Sequence, residues 1–403
     1  MRLPFLFLLI LFSILTTRYF FFFSERHVYV VGDKISMEHT FLQEPKRNAF
    51  GQYFFVNDML ISLPLGQPIG YGERVKISGV VTQIESKDKE ALLTVKNSNV
   101  KKLPRNQFLA ITGILRQKVI SAFEMYLPPK ESGLLLGIVL GIKDKIDTEY
   151  YQRLRDVGVL HVVAASGSNV SLVAGFLLGF FSLFVKRRVA ILFTVLGISF
   201  YSLISGFDPP IVRASLMAIF AFAALAFGKQ NYSAYILIVT AFVMLFIKPE
   251  LISDSGFQLS FASTVGIIYI KPLVDRMMHL KVLKFVRDDI GTTVAAQLAT
   301  IPIMLSAFSS YSLSSIAVNA LLLWTIPPLM VAGGLASITS IVWAPLSFPF
   351  LLLAHPFLWY FETIVDLSSK FAGRLEVGSI PVTLLCGYYL LLLTCILATR
   401  KKT

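Results

Sequence analysis

Apolar residues along this chain fall into three patterns. An uninterrupted apolar run fills positions 3–23 behind a single Arg2. From about 25 to 105 the pattern shortens to alternating runs at 27–35, 52–56, 59–63, 74–84 and 91–95. Such alternation is the signature of strands. Asn57-Asp58 lies between two of these runs as a hairpin turn, and Gly66, Pro68, Gly70 and Gly72 punctuate the next connection. Long apolar stretches then return near 159–185, 189–205, 209–227, 232–247, 251–270, 290–309, 311–343, 347–371 and 380–399. A membrane-spanning helix needs about 20 mostly apolar residues, so each of these nine is a crossing.

These patterns predict a polytopic α-helical membrane protein with broken helices, plus a small all-β OB-like extracytoplasmic domain. The expected divisions are a transmembrane anchor at 1–24, the OB-like domain at 25–106 and the membrane domain at 107–403. No small-x-small cleavage site follows the first run, which favours a retained anchor over a cleaved signal. At 107–127, Ile111, Leu115, Val119, Ile120 and Phe123 alternate with Arg116, Lys118 and Glu124, as in an amphipathic helix lying on a membrane surface. The segment at about 134–143 is glycine-rich and too short to cross, which predicts a re-entrant or buried piece.

Composition excludes an ordinary soluble enzyme. Of 403 residues, 55% are hydrophobic and only 15% charged, and mean hydropathy is +0.70, against roughly 45–50% and about 25% in soluble domains. The excess of 37 Lys+Arg over 24 Asp+Glu gives +13, which reads first as loop charge that sets orientation. If the anchor runs from inside to outside, alternating crossings put Lys186-Arg187-Arg188, Lys229, the 271–287 loop and Arg400-Lys401-Lys402 inside. The opposite loops hold Lys248, Lys370 and Arg374 against Asp208, Glu250, Asp254 and Glu376. The rule is satisfied when 311–343 is one crossing broken at Pro327-Pro328. The protein is then multi-pass in the plasma (inner) membrane, with the OB-like domain outside and the C-terminus cytoplasmic. That domain carries 12 basic and 9 acidic residues, too even a balance to argue for nucleic acid. Cys386 and Cys395 both fall in the last apolar stretch, so neither a disulfide framework nor a cysteine zinc site is expected.

Polar groups at membrane depth are costly, which makes each a candidate site. The densest group is His161-Val-Val-Ala-Ala-Ser166-Gly167-Ser168-Asn169-Val-Ser171, where Gly167 would let a helix unwind. Asp208-Pro209-Pro210 is followed by Arg213, and Asp254 by Gln258; Gln297 precedes Pro302, and Asn319 precedes Pro327. His355, Glu362 and Asp366 follow. Ser168, Ser171, Ser263 and Asn319 taken singly read as glue between helices. Arg213 needs an acidic partner such as Asp208 or Asp254, or water in a passage. His161 reads equally as a satisfied histidine at the interface, and Glu362 and Asp366 as groups facing water.

The stretch from His161 to Val170 resembles the H-L-L-A-x-S-G-x-H-V signature of the ComEC competence DNA channel family. Stretches at 137–143 (Gly-Ile-Val-Leu-Gly-Ile-Lys), 210–218 (Pro-Ile-Val-Arg-Ala-Ser-Leu-Met-Ala), 255–261 (Ser-Gly-Phe-Gln-Leu-Ser-Phe) and 297–302 (Gln-Leu-Ala-Thr-Ile-Pro) agree in family order. The resemblance implies a channel that passes single-stranded DNA into the cytoplasm, with an N-terminal domain outside. Asn169 stands where the family usually has a second histidine, so a proton or metal role there is not carried over. The chain ends at Thr403 without the metallo-β-lactamase-like domain that many members carry, and no H-x-H-x-D-H cluster occurs. No nuclease activity, no catalytic residue, no metal and no cofactor are expected of it.

The residues expected along a DNA path are His161, Ser166, Gly167, Asn169, Asp208, Arg213, Asp254, Gln258 and Gln297. In the OB-like domain Tyr53, Phe54 and Phe55 are candidates for stacking on bases, with barrel core as the alternative. Expected partners are single-stranded DNA and the lipid bilayer, together with a separate nuclease, a DNA receptor and a cytoplasmic motor, since no G-x-x-x-x-G-K-[ST] loop is present. Two other functions fit parts of the pattern. Broken helices suit a small-solute transporter, although no inverted repeat stands out. An intramembrane serine hydrolase would use Ser166, but Ala164-Ala-Ser-Gly-Ser168 lacks the first glycine of a nucleophile elbow.

Orientation is directly testable. With native cysteines replaced, a membrane-impermeant thiol reagent should label Asn57→Cys in intact cells and miss Lys281→Cys. The reverse pattern overturns the topology.

Overall fold

The computed structural model describes residues 2–25, 30–42, 45–48, 51–56, 59–63, 69–85, 91–163, 167–228, 232–277, 284–308, 310–312, 314–371, 374–376 and 382–400. The chain divides into two units, 21–122 and 1–20 with 123–403.

The smaller unit is built on six strands: β1 (Lys34–Thr40), β2 (Lys46–Asn48), β3 (Gly51–Val56), β4 (Met59–Leu63), β5 (Arg74–Glu85) and β6 (Ala91–Leu103). They form one sheet in the order β1-β5-β6-β4-β3-β2. Neighbours are antiparallel except β4 and β6, which run parallel through Met59↔Leu93 and Leu60↔Thr94. Val56 pairs with Met59, the register that a two-residue connection imposes; Asn57-Asp58 lie outside the described residues. Among the described residues the first strand begins at Lys34, with 26–29 outside them, and β6 runs eight residues beyond Val95 to Leu103. Alternate residues point inward, so Ile35, Phe41, Phe54, Met59, Ile61, Ile69, Val75, Ile77, Val81 and Val95 make one core. Gln52 is also buried. Its side chain accepts from the Ile69 N–H at 2.9 Å and donates to the Ile69 carbonyl at 3.2 Å, which satisfies both ends of the amide.

Helix α1 (Arg2–Glu25) is the N-terminal apolar run, and α2 (Gln107–Tyr126) follows the sheet. On α2 the buried side chains Thr112, Arg116, Val119 and Ile120 recur at helical spacing. Arg116 therefore does not join a polar outer face as its charge suggests. Its guanidinium lies 5.0 Å over the ring of Tyr71, a cation–π contact that replaces water.

The larger unit continues with α3 (Pro129–Leu140), α4 (Thr148–Asp156), α5 (Leu160–Val163), α6 (Gly167–Ser182), α7 (Arg187–Ile204), α8 (Pro209–Ala226) and α9 (Ser233–Ile247). Then come α10 (Ser255–Tyr269), α11 (Lys271–Met277), α12 (Lys284–Phe308), α13 (Ser315–Leu322), α14 (Ile326–Val342), α15 (Phe348–Ser369) and α16 (Val382–Arg400). Among the described residues, seven helical stretches are long and apolar enough to cross a membrane: Leu6–Ser24, Leu160–Ser182, Arg187–Ile204, Pro209–Ala226, Ile290–Ala307, Ala317–Val342 and Ala344–Ser369. The pair α10 and α11, bent by 48°, passes the same test taken together, as a broken span or a re-entrant loop, while Ser233–Ile247 and Thr383–Ala398 are shorter apolar helices. The chain is a multi-pass membrane protein. The stretch Ala317–Val342 is one apolar helical run that tightens to a 3-10 turn at Leu323–Thr325, and Pro327 and Pro328 follow at the start of α14, where a missing N–H costs little.

Segment 134–143 falls mostly within α3, a 12-residue helix whose residues Glu131–Leu140 are all buried. Pro129 sets its first turn and Gly141, at φ +73°, ends it in the left-handed conformation. A helix end inside the protein leaves carbonyls without partners. Two of these are met by other helices: Asn169 of α6 donates to the Ile138 carbonyl at 2.7 Å, and Tyr201 of α7 donates to that of Val139 at 2.9 Å.

The same problem arises in α12. Pro302 has no N–H for the Leu298 carbonyl one turn earlier. Tyr388 of α16 donates its hydroxyl to that carbonyl at 2.7 Å, and Tyr389 donates to Ala299 at 3.0 Å. Helices α10 and α12 also approach closely at Gly266, where a Cβ would lie 2.5 Å from the Ala295 carbonyl oxygen. Tyr388→Phe should therefore destabilise the detergent-purified protein by about 1 kcal/mol, the cost of losing one hydrogen bond to a half-buried acceptor. Thermal unfolding measures it, and an unchanged melting temperature would contradict this role.

Candidate substrate path in the membrane domain

Arginine within an apolar helix costs at least about 2.5–3.5 kcal/mol on the insertion scale, so its partners define the site. Arg213 lies in the second turn of α8, 9% exposed. Its Nε donates to Ser260 Oγ at 2.6 Å and its Nη1 to Thr264 Oγ1 at 2.7 Å. Ser260 and Thr264 are one turn apart on α10 and so present two hydroxyls from a single helix face. Met217 Sδ lies 3.4 Å from Nη1, and the Phe261 ring centroid lies 6.0 Å from the guanidinium carbon. On the other side is Gly167, the first residue of α6. A Cβ there would lie 2.8 Å from Arg213 Nη2, so the absence of a side chain is what lets the guanidinium reach α6.

Both carboxylates anticipated as partners of this arginine are engaged elsewhere. Asp208 precedes α8 and pairs with Lys143 at 3.2 Å, just beyond the end of α3. Asp254 caps α10, accepting from the Phe257 N–H at 2.6 Å. Among the described residues Arg213 makes no ion pair. Its charge is held by neutral hydroxyls, each charge-assisted bond worth about 1.5–3 kcal/mol, and none of them cancels the charge.

The remaining predicted residues divide. Asn169 is fully buried and fixes the end of α3. Thus α6 carries both Gly167 against the arginine and Asn169 against α3. His161 lies on α5 and is exposed. Ser166 lies outside the described residues, with Ala164 and Ala165, and with them the expected unwinding before Gly167. Gln258 donates to the Ile252 carbonyl at 2.7 Å, which closes the turn ahead of its own helix. Gln297 donates to Ser315 Oγ at 2.8 Å and ties α12 to α13. Arg213, Gly167 and α10 come together; His161, Gln258 and Gln297 have separate local roles.

In the β unit, Phe54 is not available to stack on a base. Its ring packs edge-on against Phe41 at 4.7 Å and beside His39 at 5.9 Å, inside the sheet core. The alternation along β3 turns it inward, opposite to Tyr53. Tyr53 is half-buried; the side chain of Phe55 lies outside the described residues.

Sequence reasoning missed Ser260 and Thr264 as the clasp. Their spacing of four was visible, but hydroxyls at that spacing are also common helix glue. It also missed Lys143 and Tyr201, whose partners are distant in sequence.

The competence protein family matches over residues 138–402, about two thirds of the chain. That region includes the end of α3, Gly167, Arg213 and α10. ComE operon protein 3 of Bacillus subtilis (strain 168) is 27% identical over 213 residues, covering 52% of this chain and 26% of the relative. Competence protein ComA of Neisseria gonorrhoeae is 28% identical over 279 residues, covering 65% of this chain and 38% of the relative. The alignments thus take in about a quarter to two-fifths of those relatives' length. No solved structure matches. The family's region runs through the arginine clasp and nearly to the chain's end, and the protein belongs to the competence protein family.

Proposed function

We propose that this protein conducts single-stranded DNA through the plasma membrane into the cytoplasm during DNA uptake. The observation that carries this reading is the state of Arg213: buried, held by two hydroxyls, and without a carboxylate among its described partners. A structural arginine in a membrane helix is ordinarily neutralised by Asp or Glu. One held by hydroxyls keeps its positive potential, and a guanidinium suits a phosphate oxygen pair in geometry and charge. Gly167 of α6 lies directly against it, where the lack of a side chain leaves the guanidinium room.

In this reading Gly167, Ser166 and Asn169 with Arg213 form the narrow part of the path, and Asp208 and Lys143 hold its outer wall. The β unit is an OB-like domain on the extracytoplasmic side that receives or orients the strand, with Tyr53 as a stacking candidate. A separate nuclease, a DNA receptor and a cytoplasmic motor complete the system, and the protein's own role is non-enzymatic.

Uptake of labelled DNA, compared at equal membrane abundance, tests the assignment. Arg213→Ala should reduce uptake by at least about tenfold, the equivalent of one charge-assisted contact. Arg213→Lys should retain part of it, because charge survives while the planar fork is lost. Gly167→Leu should block uptake by displacing the guanidinium. If Arg213→Ala accumulates normally and takes up DNA at the parental rate, the arginine is a packing residue and the path lies elsewhere.

A further inference from the structure

A second charged cluster sits where α3, α4 and α15 meet. His355, Glu362 and Asp366 are seven and four residues apart on α15 and so share one face. Opposite them stand Lys130 and Glu131 at the start of α3, and Glu149, Tyr150 and Arg153 on α4. Lys130 is taken by Asp366 at 3.1 Å and Glu362 at 3.8 Å. Arg153 is taken by Asp366 at 2.8 Å and Glu149 at 2.9 Å. Glu131 is left with one ion-pair partner among the described residues, His355, whose Nδ1 lies 2.7 Å from its Oε2. Both permanent cations are thus committed to other carboxylates, and the partner of Glu131 is charged only when it holds a proton.

Glu131 is 5% exposed, on a helix buried along almost its whole length. An ionised carboxylate in that position needs a counter-charge. Two arrangements satisfy it: carboxylate with imidazolium, or carboxylic acid with neutral imidazole. Each contains one proton, shared along the same hydrogen bond. With no added proton the buried carboxylate faces a neutral ring; with two, a neutral acid faces an imidazolium and the charge pairing is lost. The side chain of His355 is 48% exposed while that of Glu131 is 7% exposed, so the ring connects the buried acid to the outside.

Around this pair are polar atoms that the packing leaves unsatisfied. The Tyr150 hydroxyl is buried, on a residue 1% exposed, and Glu362 Oε1 is buried as well; neither has a hydrogen-bond partner among the described residues. Lys130 Nζ lies 4.5 Å over the Tyr150 ring. Burial above all, with Glu362 and Asp366 nearby, pushes the Tyr150 hydroxyl far up, so it remains a donor. Of the other elements packed here, α13 and α14 carry no titratable side chain and α5 brings only His161. No three His, Cys, Asp or Glu residues converge as metal ligands among the described residues.

We propose that Glu131 and His355 form a proton-binding site of the membrane domain, loaded through the exposed ring of His355, whose occupancy sets the packing of α3 against α15. The proton moves between imidazole nitrogen and carboxylate oxygen, with no other bond made or broken. The proposal does not depend on what passes through the protein, and its test involves no DNA.

Thermal unfolding of the detergent-purified full chain is measured from about pH 6 to about pH 8, the range in which imidazoles commonly titrate. Raising the pH strips the proton and leaves the buried carboxylate uncompensated, so parental stability falls with rising pH. The parent should lose about 2–4 °C over this range. Glu131→Gln, which needs no proton, should lose less than half as much. Identical pH profiles for parent and Glu131→Gln overturn the proposal. Should the variant fail to fold, parental protein labelled with nitrogen-15 histidine decides. The His355 resonance is identified by its loss in His355→Gln. A ring signal that moves over the same pH interval as the melting temperature supports the site, and one that stays fixed throughout contradicts it.

Discussion

In hydrocarbon, a polar group that finds no partner inside the protein finds none at all. That constraint accounts for the arrangement of the helices around α3 and α8. The buried end of α3 leaves the Ile138 and Val139 carbonyls to be met by side chains, and Asn169 and Tyr201 meet them from α6 and α7. Once Asn169 is fixed there, Gly167, two residues earlier, faces the Arg213 guanidinium. Arg213 in turn draws two hydroxyls from α10. Five helices are thereby held in register by hydrogen bonds and a missing side chain, with no ion pair in the chain of contacts.

The distinction between hydroxyl and carboxylate partners matters for function. Asp208 and Asp254 are the carboxylates the sequence offers Arg213, yet one pairs with Lys143 and the other caps α10. The arginine is thus anchored without being neutralised. At the α3, α4 and α15 junction the opposite holds: Lys130 and Arg153 are neutralised by carboxylates, and the single buried acid left over is matched to a histidine. The two clusters lie on either end of α3, which touches Asn169 at its C-terminal end and carries Glu131 in its first turn.

Much of the architecture was legible because its signals are local. Apolar runs of helical length, strands of period two, and the register around Asn57-Asp58 each depend on neighbours in sequence. The segment 134–143 is too short to span a membrane, and in the structure most of it lies in the buried helix α3. Partner choice was not legible. Whether Arg213 meets an aspartate or a serine depends on how α8 and α10 are rotated, and helices apolar on nearly every face carry little information about rotation. Phe54 and Arg116 were ambiguous for a related reason. An aromatic ring suits a core as well as a base, and an arginine stem with a planar head can bury against Tyr71. His355, Glu362 and Asp366 stood out singly, but nothing in the sequence joined them to Lys130 and Glu131 more than 200 residues away.

If the protein conducts DNA as proposed, the surface beside Gly167 and Arg213 borders the route of the strand. Site-specific photo-crosslinking during uptake tests it most directly. A photoreactive residue replacing Ser168, exposed at the start of α6, is compared with one replacing Leu192, exposed on the outer face of α7. In cells taking up labelled DNA, illumination should yield a protein–DNA adduct at position 168 and none at 192. Uptake that proceeds normally while position 168 forms no adduct, or forms no more than position 192, would contradict the account.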